Sequence, residues 1–292
     1  MLCIQLIVMG DHEQAALAGA FRAFWPAERH GQPVVWAKPI KMHEPASAAL
    51  SDLKPSQRPS GAMLKLADRI LQSARYPVRP GDPVPSLVLA VGDVELNNLG
   101  HEPLIAAHMR AALEHVVAAR PTAEHAECWA TLRKRCSYHL FRPMIESIFF
   151  GDLPTLCQVA GVTHTPKLKE PDVEEFEAID PHPKWRGHCE RENGRIDHRS
   201  GWRHERHAKD YLDFLLKLSG NRRGYNWRDQ GQRVLEALDW RKVPSNERAT
   251  PYLRAMFADI AAWYQVPSPL GPALRGPVTA NLDTEHALLR NL

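Results

Sequence analysis

The sequence lacks the features that mark several common classes of protein. Its five cysteines form no CxxC pair, and an odd, scattered set predicts reduced thiols rather than a disulfide framework. No apolar run approaches the roughly 20 residues that a membrane helix needs. The opening stretch LCIQLIVMG is short and lacks the basic flank of a signal peptide. We therefore expect a soluble, cytoplasmic protein with no membrane partner.

Two signatures of catalysis are also absent. The chain has no GxxxxGK[ST] loop to hold nucleotide phosphates and no GxSxG turn to present a nucleophilic serine. Cys136 and His139 are close in sequence, but their spacing puts them on opposite faces of a strand, which argues against a catalytic dyad. If the function requires ATP hydrolysis, a partner protein must supply it.

Neither basic nor acidic residues dominate the sequence. The chain has 37 Lys and Arg against 34 Asp and Glu, a net charge of +3, so no overall field requires a nucleic-acid or membrane partner. The basic residues are unevenly distributed, however, and the stretch 184–223 is crowded with Arg, Lys and His. The sequence therefore predicts a local basic surface.

Short apolar runs alternate with helical patterns in the first half of the chain. Strands are predicted at 2–8, 34–36, 87–91 and 137–141. Between them, helices are predicted after Asp11 as N-cap, after Ser60 as N-cap, from 102 to 118, and after the last strand with Pro143 in its first turn. This alternation predicts an α/β fold with a mostly parallel sheet flanked by helices.

The pattern changes after Gly151, where strand signals fade. Helices are predicted at 211–218, 230–238 and 251–264, and a proline-bearing tail after Pro267 is predicted to be poorly ordered. We predict an α/β domain at 1–160 and a mainly helical region at 161–292. That region is expected to pack on the sheet or to be semi-separate.

Acidic residues follow three of the predicted strands. Glu13 follows the first strand, Asp93 and Glu95 follow the third in GDVEL, and Glu146 follows the fourth. The carboxyl ends of parallel strands share one edge of a sheet, where ligands gather. Mg²⁺ and Mn²⁺ prefer oxygen ligands, and such an ion can assist hydrolysis of a phosphodiester. The structural alternative is that these acids cap helices and solvate loops.

These motifs resemble those of the Toprim domain, which is shared by primases, topoisomerases and overcoming-lysogenization-defect nucleases. In that family a Glu ends the first strand and Asp-x-Asp ends the third, and together they hold Mg²⁺. The stretches VMGDHEQAAL, GDVEL and SYHLFRPMIESIFFGDLPTL are most similar to a group of bacterial Toprim-like proteins, some linked to phage defence and partner ATPases. The resemblance covers about residues 1 to 160 and implies a Toprim-like, Rossmann-like fold.

The resemblance also implies roles for individual residues. Glu13, Asp93 and Glu95 would hold Mg²⁺ or Mn²⁺, and Glu146 would assist catalysis. Two positions depart from the family pattern: Glu95 replaces the second Asp, and Met9 stands where the family has its strand-ending Glu. Because a thioether is a poor Mg²⁺ ligand, either Asp11 or Glu13 takes over that role, or the site is weakened or lost.

The basic stretch HPKWRGHCERENGRIDHRSGWRHERHAKDYL suggests two kinds of ligand. Arginine interleaved with tryptophan, as at Trp185 and Trp202, can hold phosphates and stack on bases, so we predict nucleic-acid contacts from the following arginines: Arg186, Arg203, Arg206, Arg222 and Arg223. A zinc site from its histidines and Cys189 is conceivable, although the spacing matches no standard zinc pattern. The structural alternative is a solvated face paired with neighbouring acids.

Three functions remain open at this point. The first is a Mg²⁺-dependent nuclease acting on DNA or RNA. The second is a degenerate Toprim-like scaffold that binds nucleic acid or a partner protein without cleavage, which the departure at Met9 favours. The third is a nucleotide-binding or phosphotransfer protein, against which the missing phosphate loop argues.

Overall fold

The computed structural model describes residues 1–42, 58–195 and 203–271. The fold is α/β, with a mostly parallel mixed sheet flanked by helices, as the sequence predicts. The strands are β1 Leu2–Val8, β2 Glu28–Arg29, β3 Gln32–Trp36, β4 Ile40–Lys41, β5 Leu87–Asp93 and β6 Cys136–Phe141.

The central strand of the sheet is β1. The strand order is β2-β3-β1-β5-β6, and β4 also pairs with β1, next to the end of β3. The pairings of β1 with β3, β4 and β5, and of β5 with β6, are parallel. The pair of β2 with β3 is antiparallel and is joined at His30 and Gly31, which both have positive φ, at 51° and 72°. The sequence analysis predicted β3 but neither β2 nor β4.

Helices cover both faces of the sheet. They are α1 Ala18–Phe24, α2 Gly61–Arg75, α3 Glu102–Ala118, α4 His125–Arg135, α5 Ile145–Phe149, α6 Leu153–Ala160, α7 Pro183–Asn193, α8 Ala208–Leu218, α9 Gln232–Ala237 and α10 Pro251–Tyr264. Short π-helical turns, Glu13–Leu17 and Trp227–Gly231, lead into α1 and α9. The predicted bounds of α3 and α10 are confirmed. In the described part of the chain, no helix is both long and apolar enough to cross a bilayer.

The two faces of the sheet belong to two apolar cores. Side chains alternate along β1, so Leu6 and Val8 enter one core while Ile7 enters the other. The Ile7 face is covered by α2, α3 and α4, whose buried residues share that core. Strands buried on both faces are apolar throughout, which is why β1 and β5 read as continuous apolar runs.

The other face is covered by α1 together with the C-terminal helices. Phe21 on α1 packs edge-on against Phe257 on α10, with ring centroids 5.6 Å apart, and also contacts Trp240. Trp25 stacks on Tyr264 at 5.5 Å. The helical C-terminal region therefore packs on the sheet and shares a core with the first 25 residues of the chain.

Two local predictions are wrong and one is confirmed. Asp11 caps no helix by a side-chain bond; its carboxylate accepts a hydrogen bond from Lys41 instead. Pro143, joined to Arg142 by a cis peptide bond, precedes α5 rather than lying in its first turn. Ser60 caps α2 as predicted, since its Oγ accepts a hydrogen bond from the Met63 amide at 3.2 Å. Most of the predicted tail after Pro267 lies outside the described residues.

Candidate functional site

A cavity of about 550 Å³ opens where β1, β5 and β6 end. All four predicted acids line it: Glu13, Asp93, Glu95 and Glu146. They are brought together because the strands that precede them are parallel neighbours in the sheet. The structure therefore joins residues that are up to 133 positions apart in the sequence.

Glu13 lies at the start of the π-helical turn that follows β1, and it is 3% exposed. Its Oε2 accepts no hydrogen bond among the described residues and lies 3.3 Å from Nδ1 of His12. Burial raises the pKa of the Glu13 carboxyl, and the charge of Glu146 adds to this, while His12 and the backbone amides of Glu13 and Gly10 oppose it. The Glu13 carboxylate is therefore held in the cavity wall, where the effect of burial outweighs the groups that stabilise its negative charge.

Asp93 is the last residue of β5, two residues beyond the predicted end of that strand. Its Oδ1 accepts a hydrogen bond from the Ile145 amide at 3.0 Å, which links β5 to the start of α5. Burial raises the pKa of Asp93 well above its usual value, followed by the charges of Glu95, Glu13 and Glu146. Negative charge on Asp93 is therefore opposed both by burial and by its three acidic neighbours in the cavity.

Glu95 has φ of 66°, a conformation that is uncommon for a residue other than glycine. Its amide donates to the Pro143 carbonyl at 2.9 Å, which ties the loop after β5 to the loop after β6. Burial raises the pKa of Glu95, as do Glu146 and Glu13, whereas the charge of Lys209 lowers it. Strained backbone of this kind tends to persist where a side chain must be aimed at a site.

Glu146 lies in the first turn of α5 and is 4% exposed. Its Oε1 lies 4.0 Å from Nε2 of His12, so this imidazole stands between Glu13 and Glu146. Burial raises the pKa of the nearby Tyr225 phenol, and the charges of Glu146 and Glu13 raise it further, so the phenol stays neutral.

The four acids share a cavity but do not form a closed cage. In the described ranges, the set of three side chains whose ligand atoms all lie within 4.8 Å of one another is His188, His204 and Asp210, not a set of these carboxylates. A divalent ion bound among the acids would therefore keep several water ligands, which is how Mg²⁺ is commonly held.

The sequence analysis missed several side chains that line the same cavity: His12, Lys41, His207, Lys209, Asp210 and Trp227. Three of them come from 207–210, at the start of α8. The Nδ1 atom of His207 accepts a hydrogen bond from the Asp210 amide at 3.1 Å and so caps α8. A histidine three residues before an acid at a helix start was the available signal, but the basic surroundings obscured it.

Met9, Asp11 and Glu13 all line the cavity, but the two acids differ in their surroundings. Asp11 is engaged by Lys41 and lies 3.9 Å from Arg228. Glu13, by contrast, is buried and lies against Gly10 and His12.

The five predicted arginines, Arg186, Arg203, Arg206, Arg222 and Arg223, do not line this cavity. Arg203 pairs with Glu205 at 3.3 Å, and Arg206 lies 3.6 Å from Glu177. The other three are exposed. The predicted stacking role of Trp185 is wrong, because this side chain is 1% exposed and packs against Tyr211 with centroids 4.8 Å apart. Trp202, the other tryptophan predicted to stack on bases, lies outside the described residues.

Comparisons with known proteins identify no relative. No family model, curated protein or solved structure matches the chain. The chemistry of the site therefore has to be argued from its own residues.

A serine, a histidine and an aspartate also meet elsewhere in the fold. Ser137 on β6 donates a hydrogen bond to Asp259 on α10, and His139 Nε2 lies 3.2 Å from the same carboxylate and contacts the serine hydroxyl. A hydrolase triad needs the two histidine nitrogens to face different partners, whereas here one nitrogen faces both. His139 is completely buried, so this cluster joins β6 to α10 rather than binding a substrate.

Proposed function

We propose that the protein is a divalent-metal-dependent nuclease with a Toprim-like fold. The observation that carries the proposal is the convergence of Glu13, Asp93, Glu95 and Glu146 on one cavity at the carboxyl ends of neighbouring parallel strands. Ligand sites in open α/β sheets lie at this edge. The resemblance of short sequence motifs to the Toprim pattern supports the same assignment, and it implies phage defence and a partner ATPase as the setting.

The donor set fits a hard cation. Glu13 has a buried carboxylate oxygen that accepts no hydrogen bond in the described ranges, and burial and mutual repulsion raise the pKa values of Glu13, Asp93 and Glu95. A divalent ion would relieve both costs, because carboxylate oxygens are the ligands that Mg²⁺ and Mn²⁺ prefer. We assign Glu13, Asp93 and Glu95 to hold the ion, partly through its water ligands because they do not form a closed cage, with Glu146 assisting.

When bound, such an ion would neutralise phosphodiester charge and lower the pKa of a coordinated water. The chain's own residues supply the rest. Lys41 and Lys209 line the cavity and place positive charge beside it, where a phosphate would lie. His12 stands between Glu13 and Glu146, with Nδ1 3.3 Å from Glu13 and Nε2 4.0 Å from Glu146.

The rim of the cavity fits a nucleic acid strand. Trp227 lines the cavity, and the Arg228 guanidinium lies over its ring, with Cζ 4.6 Å from the ring centroid. An aromatic ring beside a guanidinium can stack a base and contact its phosphate. The five predicted arginines outside the cavity would extend this contact along the backbone.

The test is a cleavage assay on single- and double-stranded DNA and on RNA, with Mg²⁺, Mn²⁺ or EDTA. We expect divalent-dependent cleavage that Asp93→Asn abolishes, because the variant keeps the acceptor for the Ile145 amide but loses a ligand charge. Glu114→Gln is the matched control, since Glu114 is an exposed acid on α3. Equal cleavage by wild type and Asp93→Asn would contradict the proposal.

A scaffold without catalysis is the second candidate, and two observations favour it. A thioether occupies the cavity at Met9, and Lys41 already neutralises Asp11. Internal cations would then balance the acids without a metal. Tight nucleic-acid binding in EDTA, with no cleavage under either metal and no metal binding by calorimetry, would select this alternative.

A further inference from the structure

Three potential metal ligands meet beside the acidic cavity, from three separate segments. His188 lies on α7, His204 in the short helical turn His204–Arg206, and Asp210 in the first turn of α8. The two Nε2 atoms are 2.9 Å apart, and Oδ2 of Asp210 lies 3.0 Å from that of His204 and 3.9 Å from that of His188. Each side chain thus directs one donor atom at a common point.

This spacing suits a tetrahedral ion. Zn–N and Zn–O bonds of about 2.0–2.1 Å at tetrahedral angles place neighbouring ligand atoms roughly 3.3 Å apart. The three observed distances lie on either side of that value. His204 is 5% exposed, and the ring of Trp185 packs beside both imidazoles, so the ligands are held by the core.

One group competes with a metal. Nη2 of Arg191 donates to Nδ1 of His188 at 2.7 Å, so in the neutral imidazole the proton resides on Nε2, the atom that faces the cluster. Metal binding must move that proton to Nδ1, and Arg191 must then turn away from it. Arg191 is exposed, and its Nε also donates to Glu192 at 2.9 Å, so the guanidinium keeps an acidic partner when it leaves His188.

The cluster also borders open space on two sides. Asp210 lines the acidic cavity and a second cavity of about 840 Å³, whose lining includes His188 and Arg191. Three protein ligands next to accessible space leave a fourth position for water or a substrate oxygen, which is the arrangement of catalytic rather than structural zinc sites.

We propose that His188, His204 and Asp210 bind one Zn²⁺-class transition-metal ion in the wall of the acidic cavity. Two imidazoles and one carboxylate select a borderline ion, whereas the all-carboxylate set of Glu13, Asp93 and Glu95 selects a hard one. The two sites differ in ligand chemistry, so the zinc site stands whether or not the acids support nuclease activity.

Calorimetric titration of Zn²⁺ into tag-free, EDTA-treated and desalted full-length protein tests the site. We expect one equivalent to bind, with affinity at least ~100-fold weaker in His188→Gln and in Asp210→Asn, since even loss of an outer partner costs ligated metals 10–100-fold. Titration with Co²⁺ should give the visible absorption bands of a tetrahedral ion. His115→Gln is the control, because His115 is an exposed histidine on α3 and should leave binding unchanged.

Arg191→Ala tests the site independently of the ligand variants, because misfolding could not explain an increase in Zn²⁺ binding. It removes an exposed competitor for Nδ1 of His188 and should tighten Zn²⁺ binding. Asp93→Asn should leave Zn²⁺ affinity intact, which separates this site from the acidic one. If wild type binds no stoichiometric Zn²⁺, or if His188→Gln, Asp210→Asn and Arg191→Ala all bind it as wild type does, the proposal is overturned.

Discussion

The carboxylate of Glu13 occupies the space that a side chain on Gly10 would need. A Cβ at position 10 would lie 1.8 Å from Oε2 of Glu13 and 2.7 Å from its Cδ. Glycine at the end of β1 is therefore required by this acid and not by backbone strain, because the φ of Gly10 is not positive.

Gly10→Ala should weaken Mn²⁺ binding at the acidic cavity about 10-fold or more, a loss typical of disturbed metal surroundings. The methyl group must push the end of the Glu13 side chain aside, which is a flexible movement that leaves the fold intact. Calorimetry with Mn²⁺ and thermal unfolding of the same protein measure the two effects separately.

Gly19→Ala is the matched control for that variant. Gly19 lies within α1, and a Cβ there meets no atom within 4 Å. Alanine in a helix interior should raise the free energy of unfolding by up to about 1 kcal/mol and leave metal binding unchanged. Equal metal affinity in Gly10→Ala and Gly19→Ala would show that Glu13 is not a ligand.

Glu13, Asp93 and Glu95 should contribute less to the stability of the metal-free protein as pH rises above about 4, the ordinary pKa of a carboxyl. Their folded-state pKa values are raised, so between that pH and the raised values these groups bind more protons in the folded state than in the unfolded chain. Their contribution to stability therefore falls with pH and levels off above the raised pKa values, whereas buried histidines with lowered pKa values, such as His188 and His207, act in the opposite direction.

Asp93→Asn should flatten this dependence and unfold at a higher temperature than wild type at pH 7.5 in EDTA. The amide carries no charge to bury and still accepts the hydrogen bond of Ile145. Thermal unfolding across pH 4 to 9, with Glu114→Gln as the exposed-acid control, measures both effects. A pH dependence that is the same in wild type and in Asp93→Asn would contradict the raised pKa of Asp93.

Met9→Glu should make the protein more dependent on metal. A fifth acid in the cavity adds like-charge repulsion, so the EDTA-treated variant should unfold at a lower temperature than wild type. Mg²⁺ should restore the loss and bind more tightly than to wild type, because the position matches the glutamate of the Toprim pattern. Met9→Gln, which adds polarity without charge, should show neither effect.

Removal of charge at Arg222 and Arg223 should weaken nucleic-acid binding more than removal at Arg203 and Arg206. The latter pair already contacts Glu205 and Glu177, whereas in the described part of the chain Arg222 and Arg223 form no ion pair. If Arg222 and Arg223 both contact phosphates, removal of their charges should reduce the magnitude of the slope of log K against log salt concentration by about 2. A slope unchanged by Arg222→Gln/Arg223→Gln would exclude this surface.

Periodicity and strand-end chemistry predicted much of the fold and the acidic half of the site. The apolar runs of β1 and β5 and the bounds of α3 and α10 followed from local sequence, and parallel strands implied that Glu13, Asp93 and Glu146 would meet. Two-residue strands such as β2 and β4 could not be predicted in this way, because they are too short to show a period.

The sequence suggested that histidines of the basic stretch could bind zinc, but not which ones meet, because the geometry of the cluster depends on packing. His188 and His204 are 16 positions apart and meet where Trp185 packs α7 against Tyr211 on α8. The same packing buries Trp185, which composition alone assigned to base stacking. Aromatic residues in a basic stretch are as suited to a core as to a ligand, and the sequence does not distinguish the two.

The shared core of α1 and α10 has a consequence for synthesis on the ribosome. Phe21 and Phe257 are 236 positions apart, so this part of the core cannot form until α10 has left the exit tunnel. The cavity is completed late as well, since Lys209, Asp210 and Trp227 belong to its lining. A nascent chain therefore contains the four carboxylates before the residues that complete the cavity have been synthesised.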